Sequence, residues 1–175
     1  ATPALAHSGD GHGSAMSGFL HPFGGADHLL AMVMVGLWAA QLGGRALWLT
    51  PTAFVAAMAA GFGLAVSGVT LPLVEPAILA SVIMLGVLVA MARPVAAPFA
   101  AALAGAFALF HGHAHGAELG SASALPYAAG FVAATALLHL AGIGLGMGLA
   151  RHAGSFVSRI GGGLAALAGL ALAFA

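Results

Sequence analysis

Residues 73–92 read LVEPAILASVIMLGVLVAMA, twenty positions in which Glu75 is the single charged side chain. A helix rises ~1.5 Å per residue and needs about 20 apolar residues to cross roughly 30 Å of hydrocarbon. This stretch meets that requirement. Outward from it on both sides, windows of the same kind fall near 18–42, 46–69, 95–116, 124–150 and 155–175. Together they make six spans, joined by short connections that carry Gly43-Gly44, Pro72, Pro76, Arg93-Pro94, Gly120 and Pro126. Glycine and proline at such places are the expected punctuation between helices. The fold class is therefore an all-α integral membrane protein, a bundle of six transmembrane helices. Too little chain remains between the spans for a separate soluble domain.

Composition agrees. Hydrophobic residues make up 62% of the chain, charged residues 5%, and the mean hydropathy is +1.09. A soluble domain carries about a quarter charged residues, so a solvated surface cannot be built here and the lipid bilayer is the expected surrounding. The net charge is zero and no basic stripe exists, which argues against nucleic acid as a partner. Lysine is absent, since the four basic residues are Arg45, Arg93, Arg151 and Arg159. Neither a Walker-type nucleotide loop nor a Schiff-base cofactor site can form without it. With no cysteine there is no disulfide framework and no thiolate metal site.

The arginines also give an orientation. Arg45 lies between spans one and two, Arg93 between three and four, and Arg151 and Arg159 flank the turn between five and six. Short loops rich in arginine stay cytoplasmic, so both termini are expected outside the cytoplasm, in the periplasm of a bacterial inner membrane. Residues 1–17 then form an extracytoplasmic segment, in which Ala4-Leu5-Ala6 resembles the small-residue site left by signal peptidase. Residues 18–175 form the transmembrane domain. Spans five and six are rich in glycine, at 142, 144, 146, 148 and 161 to 163. Small residues let helix backbones approach closely in lipid, first within the bundle and second at a homo-oligomer face.

Two polar clusters interrupt the apolar pattern. The first is HPFGGADH, His21 to His28. On an unbroken helix His21 and His28 share a face and Asp27 does not. Pro22, Gly24 and Gly25 weaken any regular helix here, because proline lacks a donor and glycine costs ~1 kcal/mol in a helix interior. The outer end of the first helix is therefore expected to be distorted or re-entrant, which lets all three side chains converge. The second cluster is FHGHAHGAE, Phe110 to Glu118. At about 100° per residue, His111, His115 and Glu118 fall in a sector of about 60°, whereas His113 points away. With the orientation above, both clusters lie in the outer half of the membrane.

An aspartate at a helix centre costs roughly 2.5–3.5 kcal/mol on insertion scales. Neutral imidazoles beside it supply no compensating cation unless an ion binds or a ring is protonated. Imidazole nitrogen with carboxylate oxygen suits nickel, cobalt, zinc or copper as dications. The expected metal ligands are His21, Asp27, His28, His111, His115 and Glu118. Secondary candidates are His113, His139, Met32, His7 and His12. His139 lies some fourteen residues into the fifth span, about 21 Å along the helix, deep enough for a stepping stone toward the cytoplasm. Met32 lies one turn below His28. His7, Asp10 and His12 read first as a solvated tail, and Glu75 beside Pro76 reads as a helix cap.

The spacing His21, five residues, Asp27-His28, taken with FHGHAHGAE in the fourth span, resembles the HupE/UreJ family of hydrogenase and urease accessory permeases for nickel or cobalt. The likeness covers essentially the whole chain. It implies a secondary transporter rather than an enzyme, with Ni²⁺ as substrate, and it carries the family's motif residues onto His21, Asp27, His28, His111, His115 and Glu118. Two alternatives from other classes are a metal-binding sensor and a membrane-embedded metalloenzyme, neither of which would move the ion. No HExxH motif supports the latter.

Overall fold

Residues 14–119, 124–152 and 154–174 are described in a computed structural model, and expectations placed on His7, Asp10 and His12 lie outside them. Among the described residues seven helices follow one another: α1 (Ala15–Gly24), α2 (Ala26–Leu42), α3 (Ala46–Val66), α4 (Val74–Met91), α5 (Ala97–Leu119), α6 (Ala124–His152) and α7 (Gly154–Ala173). Helices α3 to α7 are each long and apolar enough to cross a membrane, and the pair α1 and α2 supplies a sixth candidate crossing. The protein is a helical membrane protein.

The expected first span is two helices that meet at 89°. Ser14 caps α1, its Oγ accepting from the Ser17 backbone N–H at 3.0 Å. Pro22 then removes one backbone donor within α1, and Gly24-Gly25 follow without side chains to hold a helical turn. The chain leaves α1 at Gly25 in an extended conformation, and α2 begins at Ala26 in a new direction. The distortion expected at the outer end of the first helix is thus a right-angled bend. Met16, Leu20 and Phe23 form the exposed apolar stripe of α1, while Gly18 and Pro22 are buried.

Other boundaries shift for local reasons. The second span stops at Val66 because Gly68 takes a φ of 83° and breaks the helix. The fourth span starts at Ala97, beyond Pro94, and runs on to Leu119, so that Glu118 belongs to the same helix as the histidines. Gly43 and Gly44, with φ of 67° and 51°, reverse the chain between α2 and α3, a conformation that favours glycine. Glu75 does not cap α4. The N-cap position is Leu73, no side chain caps the helix, and Glu75 is exposed in the first turn.

Hydrophobicity alone cannot choose the inner face of these helices, since lipid is as apolar as leucine. Close approach of backbones chooses it. A Cβ at Gly112 would lie 1.8 Å from the Met58 carbonyl oxygen, and one at Gly61 would lie 2.0 Å from that of Leu109. Gly105 faces Ala53 and Ala57 while Gly116 faces Phe62 and Ala65, so α3 and α5 run side by side in the same direction. Gly36 of α2 meets the His139 carbonyl of α6 in the same way. The glycines expected to pack divide accordingly. Gly142, Gly146 and Gly162 face other helices of the bundle, whereas a Cβ at Gly144, Gly148, Gly161 or Gly163 would meet nothing.

The ends that carry arginine come together. Gln41 Nε2, at the end of α2, donates to Val89 O at 3.1 Å and to Ser158 Oγ at 3.2 Å. Arg159 Nε donates to Ala90 O at 2.9 Å. The C-terminal ends of α2 and α4 therefore meet the start of α7, and the histidine clusters lie toward the opposite end of α2 and α5.

Candidate metal site

The bend at Gly25 is what brings His21 to the other histidines. Gly18 lets α1 lie directly on the first turns of α6, where a Cβ would come within 2.0 Å of the Tyr127 carbonyl. His21, one turn later, then places its ring 4.4 Å from that of His115 and 5.9 Å from Tyr127. His28, in the first turn of α2, stands 4.5 Å from His115 and 4.9 Å from His111, ring centre to ring centre. Four imidazoles from α1, α2 and α5 thus form one continuous cluster. Phe131 closes its side at 4.4 Å from His115.

Burial grades through the cluster. The Glu118 side chain is 65% exposed and that of His21 39%, whereas His115 is 2% and His111 0% exposed. Glu118 Oε2 lies 4.0 Å from His21 Nε2 and 3.8 Å from His115 Nδ1. Two donors held by one ion at ~2.1 Å stand at most about 4.2 Å apart. Both separations satisfy that limit before anything moves. The three donor atoms of His21, His115 and Glu118 all lie within 4.8 Å of one another, so closing the set around an ion needs shifts of a few tenths of an ångström.

Hydrogen bonds decide which nitrogens are free. Asp27 Oδ1 accepts from the His28 backbone N–H at 2.8 Å and lies 2.8 Å from His28 Nδ1. An ionised carboxylate only accepts, so Nδ1 carries the proton and Nε2 keeps its lone pair. That Nε2 is buried without a partner. Ser81 does the same for His111. Its hydroxyl donates to Ile78 O at 2.6 Å, which uses its one hydrogen, so at 2.9 Å it accepts from His111 Nε2–H. His111 Nδ1 is left unprotonated, buried and unpartnered. Both ring nitrogens of His115 are buried without a hydrogen-bond partner, and in the neutral ring one of them keeps a free lone pair. A buried polar atom without a partner costs about 1–3 kcal/mol. Several gathered at one place make this cluster the candidate ligand site.

The profile of the family described as HupE / UreJ protein matches residues 1–172. The chain belongs to the HupE/UreJ family. Among curated proteins, Protein HupE of Rhizobium leguminosarum bv. viciae is 51% identical over 175 residues, covering 98% of this chain and 92% of that one. No solved structure matches the chain.

In this HupE/UreJ chain the other sequence candidates fall outside the cluster. His113 points away, as its helical angle predicts, and its Nε2 donates to Val69 O at 2.8 Å. His139 is buried beneath Phe54, ring centres 4.9 Å apart, with both nitrogens unpartnered. Met32 is buried, and its sulfur accepts from Thr135 Oγ1 at 3.4 Å. Asp27 is close to the cluster but directed at His28 rather than at the three donors of the exposed end. Ser81, Tyr127 and Phe131 were not evident as site residues from sequence. Ser81 left a signal, being the one uncharged polar side chain in residues 73–92.

Proposed function

We propose that this protein is a permease that imports Ni²⁺, or a closely related transition-metal dication, across the bacterial inner membrane. The observation that carries the reading is the cluster of His21, His28, His111 and His115, in which the last three keep buried nitrogens without a hydrogen-bond partner, opening at Glu118 toward one end of the bundle. In this reading that end is periplasmic, because the arginines lie at the other. Residues 1–17 then precede the entrance on the same side.

Each group has a distinct task. Glu118 and His21, at the exposed rim, draw in the hydrated cation and replace its first waters. His115, His28 and His111 take over as the ion moves inward to where water is excluded. Asp27 and Ser81 hold His28 and His111 in the tautomers that offer a lone pair, the role second partners play at metal-binding histidines. His139, beyond Phe54, receives the ion on the inner side. The reading assigns transport to this chain, not catalysis.

No nucleotide is required. A unit charge gains about 2.3 kcal/mol on crossing 100 mV, so a dication gains about 4.6. At 1.4 kcal/mol per decade that sustains a gradient above roughly a thousandfold. Affinity alone favours copper over nickel in the usual order of first-row dications, so discrimination rests on geometry and on which metal is present.

The test is uptake into liposomes that hold the purified protein, with nickel, cobalt, zinc and copper compared under an imposed inside-negative potential. Potential-dependent nickel accumulation that is lost in His28→Ala and His115→Ala is the expected result. Metal bound at the outer face with none reaching the lumen would point instead to a sensor and overturn the permease reading.

A further inference from the structure

Directly beneath the histidine cluster, three helices each place one side chain at the same level. Met32 lies one turn on from His28 in α2, Met58 one turn on from Phe54 in α3, and Thr135 between Phe131 and His139 on one face of α6. All three are fully buried. Thr135 Oγ1 lies 3.4 Å from Met32 Sδ and 3.5 Å from Met58 Sδ, so two thioethers from different helices turn toward one point. A hydroxyl has a single hydrogen, so it donates to one sulfur at a time. The lone pairs of the other remain unused.

Phe54 lies at the lower edge of this layer. Its ring is 5.8 Å from His111 and 4.9 Å from His139, so it separates the lowest histidine of the cluster from the next one inward. His139 is 1% exposed, and neither of its ring nitrogens has a hydrogen-bond partner. An orphaned imidazole so deep in an apolar bundle points to a ligand that reaches it. Phe54 stands between the two rings, and the helices put Met32 one turn on from His28, Met58 one turn on from Phe54 and Thr135 one turn before His139, so two sulfurs and a hydroxyl oxygen flank the same step.

We infer that Met32 and Met58, aligned by Thr135, form a second station for a transition-metal cation, and that Phe54 closes this station from His139 until the ion is passed on. The inference rests on the permease reading and adds to it the chemistry of the middle of the path. Thioethers are neutral, soft donors: they take Cu⁺ most readily, accept borderline dications and reject Mg²⁺ and Ca²⁺. A neutral station also holds a dication less tightly than the carboxylate-bearing entrance, which favours onward movement over retention. A layer of leucine at the same level would offer a dehydrated ion no donor.

Cu⁺ is the direct probe, by X-ray absorption on purified wild-type protein loaded first with one and then with two equivalents. Sulfur scattering at a bonded distance is expected and should vanish in Met32→Leu/Met58→Leu, a near-isosteric exchange that cores tolerate well. In liposomes the same double variant should lose at least tenfold in nickel uptake while calorimetric nickel binding at the entrance stays within twofold. Phe54→Leu should raise the inward leak of nickel. Wild-type copper spectra without sulfur scattering, or wild-type uptake by the double variant, would overturn the station. The wild-type spectrum depends on no variant folding. Should wild-type protein in liposomes move no nickel at all, the permease reading fails, and the copper spectrum still decides separately whether the thioethers bind.

Discussion

Asp27 is bonded to the residue that follows it: one carboxylate oxygen accepts from the backbone N–H of His28 and lies 2.8 Å from its ring Nδ1. The contact needs the space beside it to be empty, since a Cβ on Gly25 would lie 2.8 Å from that same oxygen. Under the permease reading, Asp27 acts on the ion through His28, by holding a tautomer. Asp27→Ala should weaken nickel binding about 10- to 100-fold, the usual cost of losing a second partner. Asp27→Asn keeps a carbonyl that can accept from Nδ1–H and should retain most of the affinity. Calorimetry on both proteins decides it. Equal loss in the two variants would mean that the carboxylate charge, not its hydrogen bond, is what the site needs.

Ser81 gives a second test of the same principle on another helix. Its hydroxyl, committed to Ile78 O, accepts from His111 Nε2–H and leaves Nδ1 free. Ser81→Ala strands a buried N–H at a cost of about 1–3 kcal/mol, and the ring can then turn or change tautomer. Lower thermal stability together with roughly tenfold weaker nickel binding is expected. A lower melting temperature with wild-type affinity would confine Ser81 to a structural role.

Much of this arrangement could be read before the coordinates, and the unreadable part has physical causes. Spans of twenty apolar residues such as 73–92 leave little choice of fold in a bilayer, and helical spacing separates His111 and His115 from His113 without a structure. The right angle at Gly25 was foreshadowed by Pro22, Gly24 and Gly25, but its size depends on how Gly18 seats α1 against Tyr127, a contact between residues far apart in sequence. Asp27 is expected as a ligand from its cluster and from the motif it shares with His21 and His28, and which neighbour its carboxylate is bonded to is a matter of three-dimensional geometry that spacing does not give. The level shared by Met32, Met58 and Thr135 needs three helices in register, which no single-chain periodicity encodes.

The proposed orientation puts the ends that meet at Gln41, Val89, Ser158 and Arg159 on the cytoplasmic side. The sequence holds no cysteine, so single-cysteine labelling starts from a clean background. Thr70 and Ala96 are both exposed, on the connections before α4 and before α5. A membrane-impermeant maleimide should label Thr70→Cys in intact spheroplasts and Ala96→Cys only after permeabilisation. The opposite pattern would invert the bundle and make the histidine cluster a cytoplasmic exit.

The cluster's depth in the bundle rests on how closely α5 lies against α3, and one pair of glycines isolates that cause. Gly112 sits between His111 and His113, where a Cβ would come within 1.8 Å of the Met58 carbonyl oxygen, a backbone atom that cannot turn aside. Gly105, two turns earlier on α5, would place a Cβ 3.6 Å from its nearest neighbours, an ordinary contact. The two substitutions to alanine have nearly the same effect on helix propensity, each favouring the helix by ~1 kcal/mol. They differ in packing. Gly112→Ala forces the helices apart at a cost of about 1–3 kcal/mol or more, and with them His111 and the Met58 layer. Gly105→Ala should leave the melting temperature in detergent unchanged or raise it, with nickel binding intact, whereas Gly112→Ala should lower both stability and affinity. Equal tolerance of the two would mean that α3 and α5 do not approach as closely as this packing requires, and the cluster built upon it would have to be redrawn.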